Sequence, residues 1–174
     1  MRLERTILMD IDYTPSGIEE IISKQFVRFI DTTPTGQSNT WAVVGVGVED
    51  GNANVEYNPN VDRIKWIIDK NARTKHSSND KQMPVTQNCH KNDPEFEFVE
   101  RGRDVLAYKS HILEIDTWNG EGGAYPSKYT DCTIVIDTYS GDTIEYTIYF
   151  DGDPKDGTST ITNGVPAFTP TASL

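Results

Sequence analysis

The chain has 174 residues, of which 36% are hydrophobic and 25% charged, and a formal net charge of -11. That length supports one domain with a proper core, burying roughly 70% of the surface its unfolded chain exposes, and the composition excludes a disordered polymer. The acidic excess argues against ordinary nucleic-acid binding, which needs Lys and Arg to neutralise phosphates.

The charge is unevenly spread. Residues 1–87 carry ten basic and twelve acidic groups, whereas residues 88–174 carry six basic and fifteen acidic. No apolar run approaches the ~20 residues of a membrane span. The opening "MRLERTILMDIDYTPSG" lacks the apolar stretch and small-residue cleavage site of a signal peptide. A protein made in a cytosol is the expectation. The two cysteines, Cys89 and Cys132, read as free thiols in a reducing compartment.

In chain order, "TILMDIDY" near the start reads as a strand or as an arm lying on a neighbour. "IEEIISKQFVRFI" (18–30) places apolar residues at a spacing that fits a helix, although its β-branched content weighs against one. "DTTPTGQSN" (31–39) is a loop by composition. "TWAVVGVGVED" (40–50) reads as a strand. In "DRIKWIIDKNARTKH" (62–76), Ile64, Trp66 and Ile68 fall on one face of a strand. "SSNDK" turns the chain into the short extended piece "QMPVTQN", which Pro84 confines to a sheet edge or a strand start.

The clearest helix start is "NDPEFEFVERGRDVLAY". Asp93 is an N-cap, Pro94 suits the first helical position, and Glu95 and Glu97 suit the positive end of the dipole. The spacing predicts a helix over about 94–105. Gly102 costs about 1 kcal/mol inside it and argues for a shorter element.

The second half reads as β. "SHILEIDTWN" alternates, with Ile112, Glu114 and Asp116 on one side and Leu113, Ile115 and Thr117 on the other. "YTDCTIVIDTYSGDTIEYTIYF" is a hairpin about Ser140-Gly141-Asp142, with Ile144, Tyr146, Ile148 and Phe150 on one face. "TSTIT" and "VPAFT" flank Asn163-Gly164, the strongest two-residue hairpin signature.

The terminal "YFDGDPKDG" raises the question of calcium. A loop of EF-hand type needs oxygen ligands at positions 1, 3 and 5, Gly at 6 and Glu at 12. Counted from Asp151, those positions hold Asp151, Asp153, Lys155, Asp156 and Thr162. A lysine at a ligand position favours a plain turn over Asp151–Gly157. His76, His90 and His111 form no metal or catalytic spacing, and Cys89-His90 has no second pair to make a zinc knuckle. Glycine-rich phosphate-binding runs are missing. Trp41, Trp66 and Trp118 lie in apolar segments and read as core. The expectation is a protein without catalytic residues, metal or cofactor.

The order of segments carries a resemblance. "LERTILMDIDYTP" precedes "WAVVGVGVED", then "VEYNPNVDRIKWIIDKNA", then the helix start in "KNDPEFEFVERGRD", then the closing "YFDGDPKDGTSTITNGVPAFTP". This pattern resembles the major tail protein, or tail tube protein, of long-tailed bacteriophages, most clearly over about residues 40–70, 92–118 and 130–170. The resemblance implies a mainly β fold, a β-sandwich or half-barrel with one flanking α-helix and an extended N-terminal arm. It divides the single domain into an arm or insertion (1–39) and a core (40–174). It further implies hexameric rings stacked into a tube in the virion tail, assembled in the host cytoplasm. Implied partners are further copies of the chain, a tape-measure protein, a tail terminator, and baseplate or distal tail proteins. DNA crosses the lumen without specific binding, and no membrane, cofactor or catalysis is involved.

The charge fits a conduit. DNA carries one negative charge per about 1.7 Å of axis, so a carboxylate wall would repel it and keep it moving. Glu114, Asp116, Asp137 and Glu145, in the expected strands, are the lumen-facing candidates. A different class of function stays open at this point: a monomeric β-sandwich module that binds carbohydrate or calcium.

Overall fold

The structure is a computed structural model that describes residues 19–172. Its centre is the hairpin of β7 (Tyr125–Tyr139) and β8 (Thr143–Thr162), closed by the Ser140 N–H donating to the Thr143 carbonyl at 3.0 Å. Gly141 takes a φ of 96° there, which glycine adopts without steric cost. Asn163 and Gly164, at φ 49° and 77°, turn β8 back into β9 (Val165–Pro170). Positive φ at both positions is the requirement of the expected two-residue hairpin turn.

These strands join β1 (Phe26–Asp31), β2 (Trp41–Val43), β5 (Gln82–Asn88) and β6 (Tyr108–Asp116) in one antiparallel sheet. The order is β2-β1-β6-β7-β8-β5, with β9 on the distal half of β8. One face packs Ile30, Met83, Val85, Ile112, Ile134, Ile144, Tyr146 and Ile148 beneath Phe98 and Val99 of helix α1 (Pro94–Glu100). The opposite face packs Phe29, Leu113 and Ile115 against Tyr129, Ile161 and Phe168. The second cluster joins strands from distant parts of the sheet, so the sheet coils on itself. Among the described residues the fold is mainly β with one short α-helix, and the mainly β class is the one the sequence indicates.

Helix α1 starts where expected. The Glu95 N–H donates to Asp93 Oδ1 at 3.1 Å, and Pro94 follows the cap. It ends at Glu100, short of 105, because the chain turns to lay the Tyr108 ring on Gly102. A Cβ at Gly102 would meet that ring at 2.4 Å. Pro84 sits in β5 on the side away from β8. The N–H groups of its even-numbered neighbours Gln82 and Asn88 bond instead to Glu56 and Gly47, so the missing proline donor costs no ladder bond.

Four expectations need correction. Residues 26–31 form strand β1 inside the sheet, not a helix and not part of an arm, because Phe29 and Ile30 are needed in the two opposite cores. The strand expected over 40–50 stops at Val43, and the chain leaves the sheet to cover the edge of β5. Residues 62–76 are two strands, not one: β3 (Pro59–Ile64) and β4 (Arg73–Asn79) pair as a separate hairpin. Asp151–Gly157 is not a turn. β8 runs through it with a bulge, the register passing from Tyr129↔Lys155 to Asp131↔Asp151. Gly152, Asp153 and Pro154 thus stand opposite the single residue Thr130, and turn formers make a bulge because β7 offers a partner on both sides of it. The segment "TILMDIDY" lies outside the described residues.

Candidate assembly surface

The β3–β4 hairpin stands off the main sheet, and every residue of both strands is exposed. Polar bonds hold it. Glu56 and Gln82 exchange backbone hydrogen bonds at its root, at 2.8 and 2.9 Å. Asn60 Nδ2 donates to Ser78 Oγ at 2.9 Å, and Arg73 pairs with Asp69 at 3.0 Å across the connecting turn. Its tip is apolar and bare: Trp66 is 63% exposed, Ile68 85%, and Ile67 fully so. Full burial of each such side chain stabilises by roughly 1.5–3 kcal/mol, so the tip leaves a sizeable apolar surface in water. Ile64, Trp66 and Ile68 therefore do not line a core-facing strand. Trp118 is also half-exposed, whereas Trp41 packs edge-on against Tyr129 as a core residue would.

The four lumen candidates do not share a surface. Glu114 and Asp116 lie on the helix-covered face of the sheet, in register with Arg28 and Phe26. Glu114 is only 4% exposed and holds Lys81 Nζ at 2.5 Å and Arg28 Nε at 3.9 Å. The Lys81 ammonium also lies 4.1 Å from the centre of the Phe150 ring. This carboxylate is the anchor of a buried charge cluster, not a wall charge. Asp116 is half-buried, and burial pushes its pKa above the ordinary value. Asp137 and Glu145 are exposed on the opposite face. They accept hydrogen bonds at 2.9 Å from Thr147 and Thr138 respectively. Strand alternation put all four in plausible positions but could not show which had cations waiting opposite.

A second cluster was missed entirely by sequence reasoning. Glu95, fully buried, accepts from the Tyr146 hydroxyl and from Gln87 Nε2 at 2.6 Å. Gln87 Nε2 also reaches Asp93 Oδ2 and the Val46 carbonyl, both at 2.9 Å. Burial pushes the Glu95 carboxyl up to about 7 and the Asp93 carboxyl and Tyr146 hydroxyl above their ordinary values. The cluster ties α1 to β5, β8 and the loop beyond β2. The sequence suggests only a dipole role for Glu95, and nothing local marks it as buried.

The remaining chemistry is structural. Asp151 pairs with Lys109 at 2.9 Å and Asp156 with Lys128 at 2.7 Å. Asp151 and Asp156 sit at positions of opposite parity relative to β7, so the terminal aspartates do not converge. No group of three or more metal-ligating side chains occurs among the described residues. His111 is held between Asp31, at 2.9 Å, and Asp131, at 3.6 Å, and stacks on Tyr129. Cys132 is buried and Cys89 partly so, both as free thiols. A cleft of about 600 Å³ lies beside the hairpin root, lined by Tyr57, Lys81, Lys128, Thr130 and Phe150 among others.

No protein-family model matches the chain, and no curated protein matches it.

Proposed function

We propose that this chain is a structural, self-assembling subunit: a tail tube protein whose hexameric rings stack into a channel for DNA delivery. The observation that carries the reading is the projecting hairpin, a polar stem ending in Trp66, Ile67 and Ile68, which no surface among the described residues covers. In such a tube the lumen wall is the face that bears Asp137 and Glu145. Glu114 and Asp116 have no part in it. DNA passes without specific binding, and the tape-measure, terminator and baseplate proteins are the partners this reading implies.

Replacing Trp66, Ile67 and Ile68 together by Ser tests it. The expected result is a monomer as stable as the parent to within about 0.5 kcal/mol, as for exposed sites, with assembly lost in sedimentation velocity. Unchanged assembly would count against the hairpin as the contact that builds the tube.

A second reading is favoured by one feature, the cleft where Tyr57 and Phe150 flank Lys81. Aromatic walls beside polar groups suit a carbohydrate, and this module would stay monomeric. A glycan panel that raises the melting temperature would support it.

A further inference from the structure

The hairpin differs from the rest of the molecule in charge. Residues 59–79 hold five basic and two acidic side chains, a net +3, which leaves -14 on the remainder. Its apolar tip is flanked by Lys65 and Lys70. The complementary surface is a groove with an apolar floor and an acidic rim.

Beyond a groove of about 470 Å³ beside Phe26, Tyr57 and Pro126, whose Glu114 and Asp156 are already paired with Lys81 and Lys128, two grooves outside the hairpin's own root have a mainly apolar wall. One, of about 540 Å³, runs between the 32–36 loop and the chain after α1, and its rim carries Arg101 and Lys109. Its lining holds no carboxylate to meet the hairpin's lysines. The other, of about 570 Å³, lies where the chain leaves β2 and exposes the flank of β1. Val27, Val43, Val44 and Val48 line it, with Glu49 and Asp50 at its rim. Residues 47–57 contain three acidic side chains and no basic one. Lys24 and Arg28 also line this groove; Arg28 is engaged by Glu114 and the Ala53 carbonyl, which leaves Glu49 and Asp50 against the single cation of Lys24.

We infer that the hairpin tip of one copy seats in the Val43–Glu49 groove of a second copy, with Lys65 and Lys70 facing Glu49 and Asp50. The inference rests on the self-assembly reading and names the site that reading needs. The contact joins two different surfaces. Such a head-to-tail contact generates rings or open stacks. Exposed opposite charges steer the encounter and set the register, while the buried indole and isoleucines supply the affinity.

The test is a charge swap in the full chain, read by sedimentation velocity and negative-stain microscopy. E49K/D50K and K65E/K70E alter exposed side chains, and thermal melts confirm that each stays folded. Each alone is expected to raise the concentration needed for assembly by at least tenfold, and the four changes together to restore it. In the parent, raising salt should weaken assembly, because the contact is rimmed by exposed charge. Single swaps that assemble like the parent, or a fourfold variant that does not recover, would overturn the docking site even if tubes form. Soluble dimers in place of tubes, with the swap pattern intact, would keep the docking site and remove the tube. A parent chain that stays monomeric at every concentration would overturn both.

Discussion

Two buried carboxylates carry opposite consequences. Among the described residues no cation lies beside Glu95, and burial lets the folded chain keep its proton up to about pH 7, whereas the unfolded chain releases it near the ordinary value of 4.5. Between those values the folded state binds more protons, so stability falls as pH rises and levels off above about 7. The shift corresponds to a loss on the order of 3 kcal/mol. Urea unfolding from pH 4.5 to 8 should show that decline, and Glu95→Gln should flatten it. A decline of the same size in the variant would place the titration elsewhere. Glu114 is the reverse case, a buried anion matched by Lys81 and Arg28. Glu114→Lys would leave three cations together and should cost about 3–5 kcal/mol, the usual result of breaking a buried pair. A variant with parental urea stability would mean that the cluster is open to water.

At the scale of elements, the sheet edges decide where copies can meet. The edge of β5 is covered by the chain from Gly47 to Glu56. Along β9 the Thr171 N–H bonds to Asp156, so the odd-numbered residues face β8 and Pro166, Phe168 and Pro170 face outward. Two of those three positions lack an N–H, which blunts the edge against strand addition. Among the described residues, β2 keeps an unpaired outer side at Trp41 and Val43. Replacing Pro166 and Pro170 by Thr should leave the fold intact but add a new, irregular association visible by light scattering. No change in scattering would show that something other than the prolines protects this edge. The legible elements were those with local chemistry: the Asn163-Gly164 and Ser140-Gly141-Asp142 turns and the Asp93-Pro94 helix start each depend on a few adjacent residues. Strand β1 was not legible, because a strand covered on both faces shows no alternation and its apolar spacing also fits a helix. The hairpin tip was misread for a different reason. Trp66 and Ile68 look like core residues, and only the folded chain reveals that no core among the described residues reaches them. Nor could alternation expose the Glu114 cluster, whose partners are 33 residues before it at Lys81 and further still at Arg28.

For the whole molecule, a net charge of -11 opposes close packing of copies. Under the proposed self-assembly, the +3 hairpin would offset part of that repulsion locally, and assembly would be a balance between an apolar tip and a shared acidic surface. Asp137 and Glu145 remain on the exposed face, where six copies around an axis would place carboxylates toward a channel. The central claim is that this balance produces hollow rings or tubes. Negative-stain electron microscopy of the concentrated full chain tests it most directly. The account predicts sixfold rings or tubes with a stain-filled lumen. A population of compact monomers at all concentrations, with a melting temperature raised by calcium or a glycan, would contradict it.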